Sequence, residues 1–250
     1  LLKHYSAETA RRTLKDLERC GDWSKKSGLI EVNPFRDLAA DLKPVKNGSK
    51  TRKAYTAEER DHILAAFKNN TYCNRYAPTR HSHYFNFVHF LFMTGCRPQD
   101  AIALKWKHIK PNHVVFSEAY SCEARLTKSG KTKTIRPFPI NNQLREVLDA
   151  AREQSPDTSP DALVFPSPSG RPIDRHNFLN RTWKPLVEAL IKDDKVSEYL
   201  PTNNARHTFI SMCIEKGMDA KDIAPMVGNS AEVVYQNYAS KKKDIAIPEL

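Results

Sequence analysis

The chain has 250 residues, 40% of them hydrophobic, enough for one large domain, or a domain plus a fragment, around a packed core. It carries 40 Lys and Arg against 29 Asp and Glu, a net charge of +11, which favours a polyanion such as nucleic acid or an acidic membrane surface. No apolar run approaches the roughly 20 residues of a membrane span, and no signal peptide is visible. The five cysteines (Cys20, Cys73, Cys96, Cys122, Cys213) are odd in number and lack C-x-x-C spacing, so they read as reduced thiols of a cytoplasmic protein rather than a disulfide framework or zinc site. The first residue is Leu1 rather than Met, which is expected of a fragment.

Taken in chain order, residues 6–28 read as two helices, with Ser6 in a start position and Ala10, Leu14 and Leu17 on one face. NPF (33–35) ends that region, because the residue before Pro34 avoids the helical basin. DLKPVKNGSKTRK (41–53) is basic, contains Pro and Asn-Gly, and has little to bury, so it reads as a linker. Thr56 and Glu59 form a capping box that opens the next helix. Residues 82–94 give an apolar helix stopped by Gly95, and Pro98 suits the first turn of a helix over 98–106. Residues 113–140 alternate or are β-rich, which predicts a small antiparallel sheet with a hairpin at 129–132. From residue 141 the pattern is helical again, broken by the Pro/Ser loop 155–173. The fold class expected is mainly α with a small antiparallel sheet: residues 1–40 helical, 41–53 linker, 54–250 one domain.

Four stretches could carry chemistry. In TGCRPQDAIALKW (94–106), Arg97 lies between a helix-ending glycine and a helix-starting proline, near unpaired backbone N–H groups that suit an anion; capping the previous helix is the alternative use of that arginine. In LTKSGKTKTIRPFP (126–139), Lys128, Lys131, Lys133 and Arg136 surround a turn and read either as phosphate contacts or as a solvated charged loop. PTNNARHTFIS (201–211) sets Arg206 and His207 at the edge of an apolar run. In VGNSAEVVYQNYASKKK (227–243), Tyr235 and Tyr238 are three apart and share a helix face. HSH (81–83) is a poor metal site, since its histidines point to opposite sides of a helix.

The order Arg97, Lys128, Arg206, Tyr238, with steps of 31, 78 and 32 residues, resembles the tyrosine recombinase, or phage integrase, family. TGCRPQD resembles its first-arginine motif, T-G-x-R-x-x-E/D. LTKSGKTKTIRPFPI is similar to its lysine hairpin, NNARHTF to its H-x-x-R-H-T-F box, and VGNSAEVVYQNYAS to its L-G-H-S box with a tyrosine nine residues after the histidine position. Residues 6–35 are similar to the closing helices of its core-binding domain.

The resemblance implies a tyrosine recombinase catalytic domain behind a partial helical core-binding domain, with strand exchange in DNA through a 3′-phosphotyrosine. Arg97 and Arg206 would hold the scissile phosphate, because a planar guanidinium stays charged and binds oxygens bidentately. Tyr238 would be the nucleophile and Lys128 the general acid for the departing 5′-oxygen. Asp100 would orient Arg97 or His207, and His207 would support from behind. Lys50, Arg52, Lys53, Lys131, Lys133 and Arg136 would contact the DNA backbone. No cofactor and no metal is implied.

Two positions depart from the family pattern. Asn203 stands where histidine is usual and Asn229 where histidine or tryptophan is usual; asparagine can donate a hydrogen bond to a phosphate oxygen but has no useful proton-accepting pKa. Deprotonation of Tyr238 would fall to water, to His207, or to the acidity that nearby arginines confer. The partners implied are duplex DNA, bound with strong salt dependence, a homotetramer on DNA, accessory DNA-bending proteins, and no membrane. The location implied is the cytoplasm, at the nucleoid. A DNA-binding protein of this fold that has lost cleavage, and a type IB topoisomerase, are the competing readings. The tail 241–250 would pack on a neighbouring subunit or be a free end.

Overall fold

The computed structural model describes residues 4–42, 52–121, 124, 126–129 and 136–238. The chain divides into two compact units, Leu1–Lys50 and Thr51–Leu250.

Residues 6–28 form one helix rather than the two expected. Helix α1 (Ala7–Lys26) starts at Ser6, whose side chain accepts from the Thr9 N–H, and it runs straight through Gly21. That glycine is a contact rather than a break. A Cβ there would lie 2.1 Å from Asn33 Oδ1. The missing side chain lets Asn33 dock, with Nδ2 donating to Glu18 O at 2.8 Å and Asp22 Oδ1 at 2.9 Å.

The second unit starts with α2 (Ala57–Asn69), opened by the reciprocal Thr56–Glu59 capping box. A 3₁₀ turn (His81–Tyr84) leads into α3 (Phe85–Thr94), and α4 (Pro98–Ile102) follows. Helix α4 stops short of the expected residue 106. The Lys105 backbone instead bridges to Leu163, the Trp106 N–H donates to Ala162 O at 3.0 Å, and the Val164 N–H donates to Leu104 O at 2.9 Å. Strand-like pairing with a distant segment outcompetes one more helical turn.

The β region also differs from expectation. Strands β1 (His113–Phe116), β2 (Glu118–Ser121), β3 (Leu126–Ser129) and β4 (Arg136–Pro139) form two separate antiparallel pairs, β1 with β4 and β2 with β3. The ladder runs from Glu118↔Ser129 to Ser121↔Leu126, so β3 pairs with β2 and not with β4. The expected hairpin at 129–132 falls largely on residues 130–135, which lie outside the described residues. Burial explains the sorting: Val114 faces Phe138 across the β1–β4 pair, and both are buried with Phe116.

Helices α5 (Asn142–Gln154), α6 (Arg175–Phe178), α7 (Lys184–Lys192), α8 (Asn204–Glu215), α9 (Ala220–Val227) and α10 (Ala231–Tyr238) complete the unit, with α6 joined to α7 through a π-helical turn. The architecture is thus mainly α with small antiparallel sheets. Among the described residues no helix is long and apolar enough to cross a membrane.

The main core gathers α2, α3, α5 and α7 around Trp183, Phe67 and Phe87. A second, smaller cluster (Ile210, Ile223, Val227, Val234, Tyr238) ties α8, α9 and α10 together. Tyr55 anchors α8 from the start of the unit: its N–H donates to Thr208 Oγ1 at 3.0 Å and its hydroxyl to Leu200 O at 2.7 Å. Burial pushes that phenol's pKa far up, so it stays a donor.

Candidate active site

The site forms where three helix ends meet. Helix α3 ends on Gly95 in the left-handed conformation, which turns the chain so that Arg97 precedes α4. Asp100, one turn into α4, accepts from the Arg97 N–H at 3.3 Å. Arg97 is exposed, and its Nη2 reaches Gly228 O at 3.5 Å. Gly228 closes α9, again left-handed.

Arg206 lies on α8 and is only 7% exposed. Its Nη1 donates to Gly95 O at 3.0 Å and to Val227 O, so it clasps the ends of α3 and α9 at once. Helix C-termini carry partial negative charge, which favours a cation there. Burial, and then Arg97 and Arg136, bring the Arg206 pKa down to about 10, so it remains charged at neutral pH. Its buried Nη2 has no hydrogen-bond partner among the described residues. Leaving such a donor unpaired costs about 1–3 kcal/mol.

Arg136 takes a place the sequence did not suggest. It was grouped with the DNA-contacting cations, yet its guanidinium pairs with Asp100 at 2.9 Å, both side chains about 12% exposed. It also donates to Val227 O at 3.0 Å and lies over the Phe116 ring at 4.7 Å. Asp100 was expected to orient Arg97 or His207. Its carboxylate meets the Arg97 backbone N–H, one of the two expected partners, and in addition the Arg136 side chain. Arg97 and Arg136 lie close enough to Arg206 to lower its pKa, while the Asp100 carboxylate pairs with the Arg136 guanidinium, which leaves a positive surplus suited to an anion. The signal for Arg136 was present in part: it begins an alternating strand whose Phe138 is core, but its carboxylate partner is 36 residues away.

The Gly228 backbone is pinned by this arrangement. Its φ is +68°, and a Cβ would sit 2.1 Å from Arg136 Nη1. Gly170 has a similar φ of +73° with open space around it. Gly228→Ala is expected to lose about 1–3 kcal/mol of stability from strain, with a further loss from displacing Arg136 that Gly170→Ala lacks. Urea unfolding of both variants checks this; equal losses would show that Arg136 does not need the close approach.

Tyr238 ends α10 and is 2% exposed, a core residue of the second cluster. Tyr235, expected on the same face, is 45% exposed and donates to Asp219 Oδ1 at 2.8 Å. A separation of three residues rotates a helix position by about 60°, enough to part the two. The Tyr238 hydroxyl is hydrogen-bonded to His207 Nδ1, and the two rings lie 5.9 Å apart. Burial pushes the Tyr238 pKa up to about 12 against the pull of Arg206 and Arg52. Burial also pushes His207 down to about 4, helped by Arg52 and Arg206. Arg52 itself donates from Nε to Asn237 Oδ1 at 3.2 Å, beside Tyr238.

The remaining candidates are less drawn together. Asn203 is exposed at the start of α8 and makes no capping hydrogen bond from its side chain. Asn229 is half-buried, its N–H donating to Ala224 O at 3.0 Å. Lys53 pairs with Glu198 at 2.5 Å on the surface. For Lys128 only the backbone is described, on β3 opposite Ala119. Lys50, Lys131, Lys133 and the tail 241–250 lie outside the described residues. Among the described residues no cluster of three His, Cys, Asp or Glu could hold a metal ion. His83 Nε2 of the HSH stretch is bonded to Pro166 O, and His81 packs on Phe67.

Residues 53–244 match the phage integrase family. Among solved structures, the fold is similar to the Tn1549 transposon integrase in complex with transposon right-end DNA (TM-score 0.70, 15% identity, 94% of this chain and 76% of that chain). It is similar to the XerA recombinase (TM-score 0.54, 17% identity, 95% and 73%) and to a lambda integrase tetramer bound to a Holliday junction (TM-score 0.62, 14% identity, 97% and 62%). No curated protein matches the chain.

Proposed function

The chain belongs to the phage integrase family, and from that premise we propose that it is a site-specific recombinase that cleaves and rejoins duplex DNA through a 3′-phosphotyrosine at Tyr238. The observation that carries this reading is the junction on α8. Arg206 offers a buried, unpartnered N–H beside Arg97, and the next residue touches the Tyr238 hydroxyl. An anion-binding fork and a phenol thus meet at one helix end.

The chemistry follows from those groups. Attack on a phosphodiester builds negative charge on the non-bridging oxygens, and fixed cations in a sheltered site stabilise it most. Arg97 and Arg206 would bind those oxygens, while the Asp100–Arg136 pair sets the positions of both helix ends. Tyr238 displaces the 5′-oxygen, and Lys128 is assigned the proton that this oxygen needs. The phosphotyrosine keeps the energy of the broken ester, so rejoining needs neither ATP nor metal. The second unit would hold duplex DNA, with Arg52 and Lys53 beside the backbone, and the first, as part of a core-binding domain, would add DNA contacts of its own. The Tn1549 and lambda structures contain DNA, and the lambda integrase assembles there as a tetramer; a homotetramer on DNA is proposed for this chain too.

The test is an incubation of the intact protein with nicked suicide DNA built from the sequences flanking its gene. A covalent adduct in a denaturing gel, absent in Tyr238→Phe, is expected. No adduct, or one that survives Tyr238→Phe, overturns the reading. A second reading, a DNA-binding protein without cleavage, is favoured by Asn203 and Asn229. DNA retention without any adduct supports it.

A further inference from the structure

The reaction requires Tyr238 to lose a proton as its oxygen bonds to phosphorus. Asn203 and Asn229 cannot take it near neutral pH, because an amide is not a base there. Arg52 and Arg206, the charged groups whose fields reach the phenol, have no lone pair to offer. The one basic nitrogen that touches the hydroxyl among the described residues is His207 Nδ1. From this contact, and resting on Tyr238 as the nucleophile, we propose that His207 is the general base of strand cleavage and takes the Tyr238 proton on Nδ1.

The step balances without any further reagent. The Tyr238 oxygen bonds to phosphorus, the bond from phosphorus to the 5′-oxygen breaks, the phenol proton moves to Nδ1, and the leaving oxygen takes a proton from Lys128. Rejoining runs the same transfers backwards, with the His207 imidazolium returning its proton to the phenol oxygen. For Nδ1 to accept, neutral His207 carries its proton on Nε2.

The surroundings fix when the transfer occurs. In the site as it stands the proton stays on the phenol, pushed up to about 12, because burial first, then Arg52 and Arg206, hold His207 down to about 4. Only the forming P–O bond makes the phenol proton acidic, so the transfer belongs to the transition state, where a positioned base acts. The incoming phosphate also sets an anion against Arg206, one of the two cations that oppose charge on the imidazole. Arg206 and His207 are consecutive on α8, so the residue that binds the phosphate and the residue that takes the proton move together.

Single-turnover cleavage of nicked DNA by the intact protein tests this. His207→Ala and His207→Gln are both expected to be slower by about 10²–10⁴-fold. Added imidazoles should restore His207→Ala, faster as their pKa rises. DNA with sulfur in place of the leaving 5′-oxygen should restore Lys128→Ala but not His207→Ala. A wild-type rate in His207→Gln would mean that a hydrogen-bond acceptor suffices, and would overturn the proposal. So would a slow His207→Ala that no imidazole restores, since His207 would then only position the ring. A wild-type protein that forms no adduct overturns the recombinase reading and this step with it; a wild-type adduct with unimpaired His207→Ala overturns this step alone.

Discussion

Arg206→Ala is expected to slow strand cleavage by about 10²–10³-fold, or roughly 3–4 kcal/mol, the usual effect of removing one preorganised donor from developing oxyanion charge. The conservative change should do little better. Arg206 anchors itself through Nη1 on Gly95 O and Val227 O, which leaves Nη2 for another acceptor. Arg206→Lys keeps the charge but has no planar fork with which to do both. Single-turnover rates on suicide DNA decide it. Wild-type cleavage by Arg206→Lys would mean that charge alone, rather than the geometry of the fork, serves the reaction.

Asp100→Ala is the second large effect. Its carboxylate is the counter-charge within hydrogen-bonding reach of the Arg136 guanidinium, and Arg136 and Arg97 both lie close enough to Arg206 to lower its pKa. Removing one partner of a buried pair leaves the other charge uncompensated and typically costs about 3–5 kcal/mol. The loss should show as a lower urea midpoint. Adding Arg136→Met to Asp100→Ala should recover part of it, because the stranded cation leaves as well. A loss below about 1 kcal/mol for Asp100→Ala would put the pair in effectively surface-like surroundings.

Which parts of this site were legible in the sequence follows from how local each signal is. Gly95 and Pro98 punctuate the chain within four residues, so the loop that presents Arg97 could be read directly. The Thr56–Glu59 box is equally local, and the structure keeps both bonds. Strand partners are not local. The run 129–132 has the composition of a turn, yet Val114, Phe116 and Phe138 gain more by sharing one buried face than β3 gains by pairing with β4. Arg136 followed the same logic. Within a lysine-rich stretch it reads as a surface cation, and only the tertiary approach of Asp100, Val227 and Gly228 makes it an internal strut. The two tyrosines of α10 were separable only through packing: Val234 and Tyr238 are buried with residues of α8 and α9, while Tyr235 is exposed and reaches Asp219 at the start of α9. His207 was legible as a neighbour of the site, but its contact with the Tyr238 hydroxyl needed the crossing of α8 and α10.

The burial of Tyr238 links stability to function. The same ring that fills the small cluster between α8, α9 and α10 carries the oxygen proposed to attack the phosphodiester. Docking of the ring holds the hydroxyl against His207, within the field of Arg206, and its burial keeps the phenol protonated. In the proposed reaction the phenol therefore has its proton acceptor already aligned.

The most direct measurement is the mass of the peptide that carries DNA after cleavage. The intact protein is trapped on nicked suicide DNA, digested with nuclease and protease, and sequenced by mass spectrometry. A nucleotide 3′-phosphate is expected on Tyr238 and on no other residue. A phosphate on Tyr235, on a serine, or on no peptide at all would contradict it.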